Sequence, residues 1–450
     1  MKELPQEFIT RMRSVLGQNY ARFEASLNEP PVKGYRVNTE KIALEDFESL
    51  NIFGTERIPY VENGFYLEYE KIGNHPYHHA GMIYVQEPAA MASAECVEIE
   101  KDWKILDMCA APGGKSTQLA NKLSENGVLV SNEIIPARCR ILTGNIERLG
   151  IKNAVVTCMD TDRLASLFPE TFDLVVADAP CSGEGMFRKE DIAIDEWSEE
   201  NVIKCAERQA TILDNAAVTL KCGGYIIYST CTYSLEENEM TVDAFLRRHP
   251  EFELCPVTER VRANSVDGIR FDGAFCAFLE LTRRFYPHIN RGEGQFVALL
   301  RKKGEVAPER RFAKNAVKLD KTLTDFLDDT LCHYDKNAIR LYRGTPVYFT
   351  PDFDVADGVA FAFGVTLGEI RKNYFQPHHQ FFMALGNDFK RKIELKATDE
   401  RVNHYLRGEE IETDLENGWA AVTVDGCTLG GAKVVSGRAK NHYPKGLRMF

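Results

Sequence analysis

The sequence lacks the features that mark membrane, secreted and disulfide-stabilised proteins. No apolar run among its 450 residues approaches the ~18 residues of a membrane-spanning helix. Residues 1–17 are charged and amphipathic, without the apolar core and small-residue cleavage site of a secretory signal. The twelve cysteines are scattered and include no CxxC pair. These absences predict a cytoplasmic protein with reduced thiols.

The sequence also lacks an excess of positive charge. Its net charge of −12 gives no overall indication of nucleic-acid binding, but binding depends on local basic patches. Two such patches occur, and the second, residues 427–450, contains no acid. Each patch is either solvated surface or a docking site for RNA. Their basic residues are Arg301, Lys302, Lys303, Arg310, Arg311, Lys314 and Lys318, then Lys433, Arg438, Lys440, Lys445 and Arg448.

Residues 105–119, ILDMCAAPGGKSTQL, predict a nucleotide-type cofactor site. A short strand ends at Asp107, a loop of small residues follows, and a helix begins near Lys115. Small residues let a ligand approach the backbone, and a helix start offers unpaired N–H groups. The loop lacks GxGxxG, and a P-loop would need glycine where Cys109 stands. S-adenosylmethionine (SAM) therefore fits better than a dinucleotide or a triphosphate.

Residues 91–303 alternate strand and helix patterns, which predicts an α/β domain with a parallel sheet covered on both faces. The predicted strands are residues 104–108, 127–132, 154–157, 172–177, 224–229 and 295–300. Ligands of such sheets bind beyond the carboxyl ends of the strands. Four acids lie at these ends, namely Asp107, Glu133, Asp160 and Asp178. Glu133 suits ribose hydroxyls and Asp160 an adenine amino group, although helix capping explains any single one equally well.

The remaining chain predicts three further segments. Residues 1–90 combine helix and strand patterns and form an α+β domain. Residues 304–387 mix helix and strand without a chemical motif, and residues 388–450 predict a small β-rich barrel. Arg36 and Asn38 share one face of a strand, where they contact either a polar ligand or solvent. The histidines of residues 75–79 lack a matching acid or cysteine cluster, so they predict a substrate-contacting loop rather than a metal site.

Two cysteines stand apart from the others. Cys181 follows Asp178 in a glycine-rich turn, and Cys231 follows an apolar strand between Thr230 and Thr232. Both are expected at the sheet edge that holds the cofactor loop. A thiolate added to carbon 6 of cytosine makes carbon 5 nucleophilic enough to take a methyl group. In this scheme an acid, suited to Asp178, shares a proton at ring nitrogen 3, and a base later removes the proton on carbon 5.

Four segments, LDMCAAPGGKS, SNEIIPARC, ADAPCSGEGMFRK and YSTCTYSLEENE, resemble the motifs of bacterial RNA 5-methylcytosine methyltransferases of the Sun-related family. They occur in the family's order. Residues 4–39 and the C-terminal stretch resemble one branch, the RsmF-type 16S rRNA methyltransferases with a PUA-like RNA-binding tail. The resemblance implies a Rossmann-like SAM-dependent methyltransferase sheet between an N-terminal RNA-binding domain and that tail.

The resemblance also implies the roles of individual residues. It makes Cys231 the nucleophile, and Cys181 a second cysteine that assists product release. Without the resemblance, the residues favour Cys181 as the nucleophile. It follows a proline, and a Pro-Cys pair such as Pro180-Cys181 holds the nucleophile of the corresponding DNA enzymes. The cofactor-binding residues implied are Cys109, Ala110, Ala111, Pro112, Gly113, Gly114, Lys115, Glu133, Asp160 and Asp178.

The expected partner is 16S rRNA, within the 30S subunit or its precursor, and the expected state is a monomer without a metal or a membrane. Two other functions remain open at this point. A tRNA 5-methylcytosine methyltransferase would share every catalytic residue. A non-enzymatic RNA-binding assembly factor would retain the fold but not need Cys231, Cys181 and Asp178 intact.

Overall fold

The computed structural model describes residues 2–305 and 319–449. Arg310, Arg311, Lys314 and Lys318 of the first basic patch lie outside the described residues. Within the described ranges, every helix is too short or too polar to cross a lipid bilayer.

The N-terminal segment combines helices with a small antiparallel sheet. Its elements are α1 (Gln6–Leu16), α2 (Tyr20–Leu27), β1 (Gly34–Val37), α3 (Leu44–Leu50), β2 (Gly64–Tyr66), α4 (Pro76–His79), β3 (Ile83–Gln86) and α5 (Pro88–Met91). Strand β1 lies between β2 and β3. Apolar residues at helical spacing in α1 and α2 bury Phe8, Met12 and Phe23 against Phe187 and Trp197 of the central segment.

The central segment forms a large mixed sheet. Its elements are β4 (Lys104–Asp107), α6 (Gly114–Ala120), β5 (Val128–Asn132), α7 (Pro136–Leu149), β6 (Ala154–Thr157), α8 (Thr161–Leu167), β7 (Phe172–Asp178), α9 (Asp191–Glu196), α10 (Glu199–Thr219), β8 (Leu220–Thr230), α11 (Glu239–Arg248), β9 (Phe252–Cys255), α12 (Glu259–Ala263), β10 (Val266–Asp267), β11 (Arg283–Phe285) and β12 (Gln295–Lys302). The strand order is β10-β11-β12-β8-β7-β4-β5-β6.

Strands β8, β7, β4, β5 and β6 are parallel, as predicted. They are rich in Val, Ile and Leu because helices cover both faces, with α8, α10 and α11 on one side and α6 and α7 on the other. The expectation of a wholly parallel sheet is wrong at β12, which runs antiparallel to β8. The chain enters β12 through a hairpin from β11, and not through a helical crossover.

The order of the parallel strands creates a crevice at the carboxyl ends of β4 and β7. The chain proceeds from β4 to β5 and β6 on one side, and then to β7 and β8 on the other. Loops that leave β4 and β7 therefore diverge to opposite faces of the sheet. Such a switch point is where open α/β sheets bind their ligands.

The C-terminal third adds two β-rich parts. Its elements are α13 (Lys321–Thr330), β13 (Ile339–Tyr342), β14 (Thr345–Tyr348), β15 (Ala360–Phe363), β16 (Val365–Thr366), β17 (Gly368–Ile370), β18 (Phe375–Pro377), α14 (His379–Leu385), β19 (Lys392–Leu395), α15 (Glu400–Arg407), β20 (Ile411–Glu412), β21 (Gly418–Val424), β22 (Cys427–Val435) and β23 (Arg438–Asn441). Strand β15 pairs antiparallel with β6 and so covers an edge of the central sheet. The last strands form a sheet of order β19-β21-β22-β23-β20.

The C-terminal sheet and the N-terminal sheet share one hydrophobic core, which we call the terminal junction. Tyr77 donates a hydrogen bond to Asp425 at 2.9 Å, and the ring Nδ1 of His79 lies 3.0 Å from the hydroxyl of Tyr443. His79 packs on Tyr443 and His75 packs on the ring of Tyr77, so these histidines contribute to the terminal junction. Contact of this loop with substrate stays a prediction. No group of three or more metal-ligating side chains is found in the described part of the chain.

Candidate active site

Hydrogen bonds from neighbouring elements hold the loop between β4 and α6 in place. The backbone N–H of Ala110 donates to the carbonyl of Asn132 at 2.8 Å, and Arg138 donates to the carbonyl of Ala111 at 2.9 Å. Gly113 has a φ of 113°, a conformation that side chains with a Cβ rarely adopt. A Cβ on Gly114 would lie 3.1 Å from the side chain of Gln86. The glycines therefore serve both the turn and close packing.

Arg36 supports the same loop from the N-terminal sheet. Its guanidinium donates to the carbonyl of Gly114 at 2.7 Å, to the hydroxyl of Thr117 at 2.8 Å and to Gln86 Oε1 at 2.9 Å. Arg36 and Asn38 are only 1% and 2% exposed. Strand alternation alone allowed both side chains to lie on the surface. In the structure neither does, because the central segment encloses both.

The residues around the loop fit SAM. They line a cavity of about 320 Å³ that also includes the side chains of Tyr84, Lys189 and Gln295. Asp107 is buried at its base, and Ser116 donates to its Oδ2 at 2.7 Å. The other oxygen, Oδ1, is buried without a hydrogen-bond partner among the described residues. A buried acceptor without a donor suits the ammonium group of SAM. Burial raises the pKa of Asp107 to about 7.

Lys115 and Asp178 form an ion pair on the wall of this cavity. The ammonium of Lys115 lies 2.8 Å from Asp178 Oδ2, and Ser229 donates to Asp178 Oδ1 at 2.7 Å. Burial acts to lower the pKa of Lys115, but the attraction of Asp178 outweighs it and the pKa is raised. The site therefore holds a permanent cation whose charge also acts on Cys231.

The two cysteines meet at the edge of the cavity. Their sulfur atoms are 3.1 Å apart, because the loops that follow β7 and β8 lie side by side at the sheet edge. Contact with the sulfur of Cys231, burial and the negative charge of Glu237 raise the pKa of Cys181 well above its usual value. Cys231 lines the cavity together with Lys115, whereas Cys181 is not among its lining residues.

Two acids of the predicted set lie outside the residues that line the cavity. Glu133 is buried, accepts from the N–H of Ile135 at 3.0 Å and pairs with Arg138 at 3.2 Å. Asp160 is exposed and caps α8 by accepting from the N–H of Arg163 at 2.8 Å. Capping is the alternative that the sequence left open for Asp160. The cofactor contacts of both acids stay predictions.

Profiles of three protein families match successive parts of the chain. The N-terminal domain of 16S rRNA methyltransferase RsmF matches residues 4–88, and 16S rRNA methyltransferase RsmB/F matches residues 94–301. The PUA domain of methyltransferase RsmF matches residues 392–449.

Whole-length relatives carry the same name. Ribosomal RNA small subunit methyltransferase F of Vibrio campbellii is 32% identical over 99% of this chain and 97% of its own length. The chain belongs to the RsmF family of 16S ribosomal RNA methyltransferases. The Klebsiella pneumoniae member of the RsmF family is 31% identical over 98% of this chain and 96% of its own length.

Solved structures agree with this assignment. A methyltransferase homologue from Pyrococcus horikoshii is 28% identical, with a TM-score of 0.59 over 66% of this chain and 95% of its own. NSun6 from the same organism, solved with SFG, shares the fold at 23% identity and a TM-score of 0.57, over 67% of this chain and 99% of its own. Members of the RsmF family are SAM-dependent enzymes that act on RNA, and the cofactor is SAM.

The RsmF-type C-terminal domain presents its basic residues to solvent. Lys433, Arg438, Lys440 and Lys445 are exposed, and Arg448 is half-buried. Lys433 and Lys440 lie directly opposite each other on β22 and β23. Like charges in this position repel each other, so an anion between them is stabilising. The aromatics of residues 374–382 are largely core, with Phe375, Phe381 and Phe382 buried.

Proposed function

We propose that the protein transfers a methyl group from SAM to carbon 5 of a cytosine in 16S rRNA through a covalent bond between Cys231 and the base. The observation that carries this proposal is the contact between two thiols beside a lysine–carboxylate pair in the SAM cavity. Among SAM-dependent reactions, this arrangement suits the one in which a thiol must first activate an aromatic carbon.

Cys231 reacts as a thiolate in this scheme, and Lys115 lines the same cavity. Its sulfur bonds to carbon 6 of the cytosine while Asp178 shares a proton with ring nitrogen 3. Bound SAM supplies the methyl group that carbon 5 takes. A base then removes the proton on carbon 5, the bond between carbon 6 and sulfur breaks, and its electron pair returns to Cys231. We assign assistance in this release to Cys181.

The charges around the thiols support Cys231 over Cys181 as the nucleophile. Cys231 lines the cavity together with Lys115, whereas the negative charge of Glu237 raises the pKa of Cys181. A cation stabilises a thiolate and an anion stabilises a thiol. This argument is independent of the resemblance and opposes the Pro-Cys argument drawn from the residues alone.

The other groups hold cofactor and RNA in this scheme. Residues Cys109, Ala110, Ala111, Pro112, Gly113, Gly114 and Lys115 form the SAM loop, with Glu133, Asp160 and Asp178 as further SAM contacts. Residues 1–90, 304–387 and 388–450 are separate segments around the catalytic residues 91–303, and the first and last of them dock RNA. The target base leaves its stack to reach Cys231. The protein acts as a cytoplasmic monomer on the 30S subunit or its precursor.

Methyl transfer from labelled SAM to 16S rRNA, 30S subunits and tRNA tests this proposal. The products are digested to nucleosides and identified by mass. We expect 5-methylcytosine in 16S rRNA or in subunits and none in tRNA. Label in tRNA alone would contradict the substrate, and tight SAM binding without label in any RNA would contradict the enzymatic function.

A further inference from the structure

A buried carboxylate lies behind the two cysteines and takes no part in the scheme above. Glu237 and Gln209 are completely buried, and Ser182 is 7% exposed. The carboxylate of Glu237 accepts from the N–H of Ser182 at 2.9 Å, from Gln209 Nε2 at 2.8 Å and from the hydroxyl of Ser182. Removing an acceptor of this kind leaves several buried donors without partners.

These hydrogen bonds end on the residues that flank both cysteines. Gln209 also donates to the carbonyl of Pro180 at 3.0 Å, so Glu237 fixes the backbone on both sides of Cys181. The hydroxyl of Ser182 lies 2.8 Å from that of Thr232, the residue after Cys231. One carboxylate thus sets the position of the Cys181 loop relative to the Cys231 loop.

We propose that Glu237 is a positioning residue that holds the thiol of Cys181 against Cys231 for the release step. The proposal rests on the roles proposed above for the two cysteines. Release needs Cys181 within reach of the covalent adduct, whereas formation of the adduct relies on Cys231 and Asp178 and not on Cys181. Loss of Glu237 is therefore expected to slow release more than formation.

The charge of Glu237 adds a second effect on Cys181. Burial raises the pKa of Glu237 to about 7, although its hydrogen bonds with Ser182 and Gln209 oppose the shift. Above this pH the carboxylate is charged and helps to keep Cys181 protonated. Glu237 also interacts electrostatically with three other titratable groups, which are Glu184, Cys205 and Tyr228.

Glu237→Gln tests the proposal in the full-length protein, with Glu236→Gln as the matched control. Glu236 precedes Glu237 in the same loop, but its carboxylate pairs with Arg11. Single-turnover reactions with 16S rRNA and labelled SAM are quenched at intervals, and the covalent protein–RNA adduct and the methylated product are counted. We expect adduct decay to slow by about tenfold to a hundredfold in Glu237→Gln, with adduct formation nearly unchanged.

Alkylation provides a second readout, which reports the effect of the Glu237 charge on Cys181. Iodoacetamide labelling of the RNA-free protein at about pH 8, resolved by mass spectrometry, is expected to modify Cys181 several-fold faster in Glu237→Gln, because the carboxylate charge is gone. Unchanged labelling, or an equal fall in adduct formation and decay, would overturn the proposal.

Ser182→Ala is the second variant if Glu237→Gln does not fold. It keeps the backbone N–H that Glu237 accepts and removes only the hydroxyl that reaches Thr232. We expect the same selective slowing of release to a smaller extent, and an adduct lifetime equal to that of Glu236→Gln would overturn the proposal. A complete absence of adduct in the unaltered protein would instead remove the proposed function, and the positioning role with it.

Discussion

The active-site edge and the terminal junction each contain a lysine enclosed by protein, and the two lysines have opposite environments. The side chain of Lys115 is 10% exposed and pairs with the carboxylate of Asp178. Lys41, half-buried at the junction, donates to the carbonyls of Ala80 and Arg148, at 2.7 and 3.4 Å. The pKa of Lys115 is raised, whereas desolvation lowers that of Lys41 to about 7. The charge of Lys115 is fixed by its ion pair with Asp178 at the candidate active site, whereas Lys41 has carbonyl oxygens as its acceptors at the junction.

This contrast predicts that variants at the edge change chemistry while variants at the junction change stability. The largest effect is expected for Cys231→Ser. A hydroxyl is too weakly acidic to add to the base, so methyl transfer should fall to background while the SAM Kd stays within about twofold. Label transfer and calorimetric titration measure the two quantities. Appreciable 5-methylcytosine from this variant would contradict the assignment of the nucleophile.

Cys181→Ala separates the two thiols at the same edge. The adduct should form and then persist, because the group that assists release is missing. A band of protein bound to 16S rRNA should survive denaturing electrophoresis and should contain the labelled methyl group. Residual activity equal to that of Cys231→Ser, without such a band, would contradict distinct roles for the two cysteines.

Lys115→Met and Lys41→Met compare the two lysines directly. Loss of Lys115 leaves Asp178 without its counter-ion and Cys231 without its cation, so kcat should fall by about a hundredfold or more. Loss of Lys41 should leave kcat within about twofold, since Lys41 is not among the residues that line the SAM cavity. Steady-state methylation assays on both variants measure the ratio. Equal losses of kcat in the two variants would contradict the different roles described for the two lysines.

Lys433→Glu combined with Lys440→Glu tests the exposed face beyond the junction. Two phosphate contacts would be lost, so RNA affinity should fall by about tenfold at physiological salt and the salt dependence should become shallower. SAM affinity should not change. Filter binding over a series of salt concentrations makes the measurement, and a double variant with Lys204 and Lys336 changed to Glu serves as a charge-matched control. An equal loss in the control would assign the effect to total charge.

The smallest expected effect is a pH dependence of stability at the junction. The unfolded chain holds the Lys41 proton up to the usual pKa of 10.5, whereas the folded chain loses it near 7. The unfolded state therefore binds more protons between these values, and this group makes the free energy of unfolding rise with pH over that window. Lys41→Met should flatten the rise, as measured by denaturant unfolding at the two ends of the window. An unchanged slope would contradict the environment described for Lys41.

The sequence was informative at the edge because parallel strands bring their ends together. Asp107, Asp178 and Cys231 each follow an apolar run, and the structure joins them in one cavity. The sequence did not indicate a residue's environment where its contacts come from residues far away in the chain. Arg36 reads as an ordinary polar strand residue, but it is buried by contacts with Gly114 and Thr117, 78 and 81 residues later. Strand β15 likewise joins β6 across some two hundred residues, which no local pattern indicates.

Glu237 shows the same limit within the motif region itself. The segment YSTCTYSLEENE presents three acids that a single sequence does not distinguish. Only packing shows that Glu236 meets Arg11 while Glu237 points back to Ser182 and Gln209. These residues lie in an irregular loop, so neither helical nor strand spacing predicts the directions of their side chains.

The terminal junction also determines when the protein can function during its synthesis. The N-terminal sheet is translated first, but Tyr77 meets Asp425 and His79 meets Tyr443 only after almost the whole chain has been made. The catalytic sheet likewise gains its last edge strand about sixty residues after β12. A nascent chain therefore exposes the apolar face of the N-terminal sheet until the C-terminal sheet that covers it has been synthesised.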